Sequence, residues 1–152
     1  MKKSILTFVL VLASMTIFSQ TANRIKEFNL ANKVALQGYD PVSYFKQNKA
    51  IKGKKEFSTT YEGVTYNFAS QADKDLFLKS PASYEPEYGG WCAYAMGSAG
   101  EKVEIDPATF KIVDNKLYLF YNAYFNNTLK SWNKDQTNLN KKADINWKKI
   151  IN

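Results

Sequence analysis

Apolar and polar residues follow two different periods along this chain, and the switches between them mark its elements. Phe57-Ser58-Thr59-Thr60-Tyr61 and Val64-Thr65-Tyr66-Asn67-Phe68 are rich in β-branched and aromatic residues. Glu62-Gly63 between them predicts a hairpin. The arrangement recurs in Phe110-Lys111-Ile112-Val113 and Lys116-Leu117-Tyr118-Leu119-Phe120, separated by Asp114-Asn115. Between the hairpins, Ser70-Gln71-Ala72-Asp73 has the form of a capping box, and Leu76 and Phe77 supply the buried face of the helix it opens. Pro81 ends that helix. Pro41 to Phe45 predicts a short helical turn with Asp40 as its cap. Gly89-Gly90-Trp91-Cys92 predicts a tight turn that leads into a short helix through Met96.

Beyond the second hairpin, Tyr121, Tyr124, Phe125, Leu129 and Trp132 recur at helical spacing. Leu139, Ala143, Trp147 and Ile150 predict a final helix. The order is hairpin, helix, hairpin, helix, helix. Such segregation indicates an α+β fold of small antiparallel hairpins packed with several short helices.

The N-terminus has a separate pattern. Met1-Lys2-Lys3 is positive, Ile5 to Ala13 is apolar, and Ser14 to Phe18 continues with small and apolar residues. The run is too short to span a bilayer, which needs roughly 20 residues, and it has the form of a secretory signal peptide. Residues 1–20 are therefore expected to leave. Residues 21–33 are read as a flexible lead-in, and 34–152 as one domain with a helical C-terminal extension. The expected location is periplasmic or secreted, with no transmembrane span after cleavage.

Cys92 is the only cysteine, so no internal disulfide can form even in an oxidising compartment. Loss of Lys2 and Lys3 lowers the net charge from +7 to +5. The late lysines (Lys130, Lys134, Lys141, Lys142, Lys148, Lys149) are interspersed with Asn and Trp. They read as a solvated face and not as a nucleic-acid surface.

Several of these segments resemble a known family. Tyr61 to Ser70, then Phe77, Pro81 and Tyr84, look like the core of a YHS domain, and Asp40-Pro41-Val42 resembles its entry motif. Tyr88 to Ala95 and Val113 to Leu119 resemble an exported subgroup with extra C-terminal elements. The resemblance implies a metal site built from cysteines after the Asp-Pro-Val and around the Ser that opens the helix. This chain has Ser43, Ala69 and Asp73 at those positions. A hydroxyl, a methyl and one carboxylate do not replace three thiolates for copper or zinc. No histidine is present to help.

Cys92 is the sharpest remaining candidate for chemistry. Two glycines before it allow a close backbone approach, and Met96 lies four residues on. In a helix both sulfurs would share one face, a conceivable contact for Cu(I). The competing readings are a reactive thiol and a small buried core residue with Met96 filling a gap. Tyr39, Asp40 and Tyr44 form a second cluster, in which Asp40 is an acid/base group, a hard-ion ligand with Tyr39 orienting a ligand, or a helix cap. Aromatics make up 15 % of the chain. Those around the glycine turn, including Trp91 and Tyr94, line either a pocket or the core.

Without histidine, Ser-His-Asp and Cys-His arrangements are impossible within the chain, and no Gly-rich phosphate loop follows a strand. Catalysis is the less favoured reading. The expected function is a non-enzymatic binding module for a small apolar or planar ligand or a protein partner. The expected site lies where Tyr39, Asp40 and Tyr44 meet Trp91, Cys92 and Tyr94, and no cofactor is required. The alternatives are copper or zinc handling through Cys92 and Met96, and a thiol-dependent enzyme. Oligomeric state is left open.

Overall fold

The computed structural model describes residues 21–152. The expected signal peptide lies outside them. No helix among the described residues is long and apolar enough to cross a membrane.

The first hairpin forms as its turn chemistry requires. β3 (Lys54–Tyr61) and β4 (Val64–Phe68) pair antiparallel, with Tyr61 opposite Val64. Glu62 and Gly63 between them have φ of 45° and 82°, the left-handed pair of a two-residue hairpin. Two short strands, β1 (Leu30–Ala31) and β2 (Val34–Ala35), extend the sheet to the order β1-β2-β4-β3, with β2 parallel to β4. The second hairpin, β5 (Asp106–Val113) and β6 (Lys116–Phe120), turns at Asp114-Asn115, with φ of 50° and 58°. The α+β reading of the pattern holds.

The helices also start where their caps predict. Asp40 accepts from Val42 N and Ser43 N at the head of α2 (Pro41–Gln47). Ser70 accepts from Asp73 N at the head of α3 (Gln71–Lys79), and its hydroxyl donates to the Asp73 carboxylate at 2.9 Å. α4 (Ala93–Ser98) packs against α6 (Gln136–Ile151), with α5 (Thr128–Trp132) just before α6 in the chain.

One expectation fails. The helical spacing from Tyr121 to Trp132 is not a helix. Residues 122–127 form a further hairpin, β7 (Asn122–Ala123) and β8 (Asn126–Asn127), and only Thr128–Trp132 is helical. Asn127 is the reason for the late start: its side chain caps Leu129 N at 3.1 Å, and its backbone pairs with Asn122.

Residues 21–27 form a helix, α1. Arg24 binds Glu85 and Glu62, Tyr66 donates to Glu85, and the Arg24 guanidinium lies 4.5 Å over the Phe28 ring. Phe28 packs on Trp147 with ring centroids 5.8 Å apart. A charged side chain with two acidic partners and an aromatic face is cheap to bury, and that combination holds α1 down.

The core has two parts. One gathers Val42, Tyr44, Val64, Tyr66, Phe68, Phe77, Cys92, Leu117 and Leu119 between the two large hairpins. The other gathers Tyr88, Met96, Tyr118, Phe120, Trp132, Leu139 and Ala143 under α6.

Candidate functional site

The six expected site residues do not converge. They divide between two places, each at the head of a short helix.

The first is around Asp40, which is fully buried. One carboxylate oxygen accepts from Val42 N at 2.8 Å and Ser43 N at 3.4 Å, and the other accepts from Ala69 N at 2.8 Å. Asp40 thus ties the start of α2 to the loop that opens α3. Burial pushes its carboxyl up to about 6, and the neighbouring Asp73 acts in the same direction; the Ala69 and Val42 N–H groups oppose them. The Ser43 hydroxyl is close to Asp40 O and Lys49 O, both at 2.8 Å, and accepts from Ile51 N at 3.3 Å.

Tyr44 donates to Pro107 O at 3.0 Å and meets the Phe110 ring edge-on at 4.8 Å. Burial, with Tyr39, Asp106 and Asp40 nearby, pushes its phenol above the usual range, so it stays a neutral donor. Tyr39 is half-buried against the core, with the Lys52 ammonium 4.5 Å over its ring. These groups spend their polar atoms on the chain itself.

The second place is around Cys92. The glycine turn before it is stacked against other elements: a side-chain carbon on Gly89, whose φ is 61°, would come within 2.8 Å of both Phe28 and Trp147. The close approach is to the protein's own aromatics, not to a ligand. Trp91 is anchored by donation to Glu27 O at 2.7 Å. Backbone pairing to Leu119 and donation to Val103 O at 3.0 Å then fix Cys92.

The Cys92 sulfur accepts from Tyr121 N at 3.4 Å and lies 3.4 Å from Thr128 Oγ1. The Thr128 hydroxyl proton is committed to Tyr121 O at 2.9 Å, so in the second contact the thiol donates. Cys92 is fully buried and joins α4 to the entry of β7 and the start of α5.

Beside this sulfur lies a cavity of about 290 Å³. Its apolar walls come from Tyr94, Ala95, Val103 and Tyr121, and Ser98, Glu101, Asn126 and Thr128 supply polar groups. Of the six expected residues, only Cys92 and Tyr94 line it. Tyr121, Val103 and Thr128 were missed, because reading 121–132 as one helix removed the hairpin that brings Tyr121 and Thr128 to Cys92.

Met96 does not share a face with Cys92. Cys92 precedes the helix as its cap residue and belongs to the core between the hairpins, whereas Met96 is buried under α6.

Together these features define a small α+β domain with one closed acidic junction and one open apolar cavity. Residues 42–88 match the family model of the YHS domain, a family associated with metal binding. No curated protein and no solved structure matches the chain.

The residues present do not fit a metal at the junction. Ser43 and Asp40 direct their oxygens at backbone partners, Ala69 offers only a methyl group, and one Asp73 oxygen is held by Ser70. Among the described residues no group of three His, Cys, Asp or Glu side chains is placed to hold an ion.

Proposed function

We propose that this protein is an exported, non-enzymatic binding module that takes a small apolar or planar ligand in the cavity beside Cys92. The observation that carries the reading is the cavity itself: an apolar recess edged by a few polar groups, the usual form of a small-ligand site. Its size selects the class. At about 290 Å³ it is at the lower limit for a drug-sized molecule and suits a single ring system better than a large cofactor. Tyr94 and Tyr121 supply aromatic lining suited to a planar guest, and Ser98, Glu101 or Asn126 would orient a polar edge. The two other large recesses are less suited. One is occupied at its wall by Arg24, already bound to Glu62 and Glu85, and the other is rimmed by Lys52, Lys55 and Asn67.

Export rests on the Met1–Ala13 pattern, and the proposed location is periplasmic or secreted. Catalysis gains no support from the geometry, since the Cys92 thiol faces a hydroxyl and an amide with no base beside it.

Titration with indole, followed by amide NMR, tests the reading. Shifts are expected at Tyr94, Val103 and Tyr121, and they should vanish in Ala95→Leu, whose added carbons fill the recess. An absence of shifts at millimolar indole, or shifts that Ala95→Leu leaves intact, would sink it.

A further inference from the structure

The hairpin that walls the cavity carries the most conspicuous surface feature of the molecule. Its two turn residues, Tyr124 and Phe125, are 92 % and 111 % exposed, far beyond the next large apolar residue, Ile145 at 57 %. They also occupy the left-handed region, with φ of 50° and 63°. A two-residue hairpin turn of this kind favours Asn and Gly. Each non-glycine residue held there costs about 1 kcal/mol or more. The other hairpins use Asn32-Lys33, Glu62-Gly63 and Asp114-Asn115 at the same positions, each with at least one small, polar or glycine residue. Only here are both turn residues aromatic, and nothing among the described residues covers their rings.

A hole of matching chemistry lies next to this knob. Asn126, the residue after Phe125, lines the apolar cavity together with Tyr121 and Thr128, so the hairpin is both the cavity's wall and the base of the exposed tip. Knob and hole side by side on one face form a self-complementary surface, which closes on itself about a two-fold axis. The charges fit the same arrangement. Glu101 edges the cavity, exposed Lys130 follows the hairpin in α5, and neither has an ion-pair partner among the described residues.

We infer that a second copy of this chain is the partner: two molecules exchange tips, each placing Phe125, with Tyr124 beside it, in the cavity of the other. The contact uses the cavity but does not depend on any ligand for it. It goes beyond the ligand reading, and implies that self-association and ligand compete for one space. A contact of this extent is smaller than a standard stable interface, so the dimer should be weak, with a Kd of roughly micromolar to tens of micromolar.

Sedimentation equilibrium of the mature chain tests it, at concentrations up to roughly 0.5 mM, where such a Kd is fully visible. Wild type should show a monomer–dimer equilibrium. Phe125→Ser, at a position that supports nothing in its own chain, should weaken it at least tenfold. Ala95→Leu should do the same by closing the hole, and combining the two should cause little further loss, because they remove one contact. Circular dichroism establishes that each variant is folded. A wild type that stays monomeric overturns the inference, and so does a dimer that neither substitution weakens. Monomeric wild type that sediments with phosphatidylglycerol vesicles through Phe125 would assign the tip to a lipid surface instead. Indole binding with no dimer would retain the ligand reading alone.

Discussion

Asp40 and Cys92 occupy equivalent places and do opposite things. Each immediately precedes a short helix, α2 or α4, and each is fully buried. Asp40 caps its helix, accepts three backbone N–H groups and leaves no room beside it. Cys92 makes no cap hydrogen bond, holds its neighbours through two weak sulfur contacts, and borders an open recess. The Asp40 junction, at the edge of the YHS match, is closed and locally satisfied. The region around Cys92 borders a cavity and a strained loop, and it is where we propose that binding occurs.

The largest expected effect lies on the closed side. Asp40→Ala orphans Val42 N, Ser43 N and Ala69 N and should lower unfolding free energy by about 3 kcal/mol in urea titration. A loss below about 1 kcal/mol would mean that the junction is not the tie described here.

Next comes pH. The Asp40 carboxyl is raised from 3.8 to about 6, so between those values the native state binds more protons than the unfolded one. Stability from this group is therefore fully present below pH 4 and lost as pH rises through 6, on the order of 2 kcal/mol. Asp40→Asn should flatten that slope in thermal melts taken across the window.

On the open side Cys92→Ala should cost only about 1 kcal/mol, since weak sulfur contacts and a modest volume are lost. A loss equal to that of Asp40→Ala would erase the contrast. The smallest effect has the opposite sign. Tyr124→Asn with Phe125→Gly supplies the residues the turn favours and should raise stability by about 0.5–1 kcal/mol.

Much of the closed side was legible in the sequence. Glu62-Gly63, Asp114-Asn115, Ser70 and Asp40 each carry local chemistry that admits few backbone solutions, and the structure adopts them. The open side was not legible, for a physical reason. Tyr121, Tyr124, Phe125 and Leu129 are spaced as on a helix, yet Asn122 and Asn127 pair across a turn no local propensity favours. Tertiary contacts from Cys92 and Thr128 to Tyr121 prevail over that spacing. The cavity is assembled from residues that are remote in the chain, so no local motif announces it. α1 was hidden similarly: Arg24 reads as a surface charge until Glu85 and Tyr61 arrive from elsewhere in the chain.

The most direct measurement is native mass spectrometry, with elemental analysis, of protein isolated from its own compartment. The account predicts a small organic molecule bound to wild type and to Asp40→Asn, lost from Ala95→Leu, with no stoichiometric transition metal in any of them. Stoichiometric copper or zinc in wild type, lost from Asp40→Asn and retained by Ala95→Leu, would contradict it by placing the ligand at the junction described here as closed.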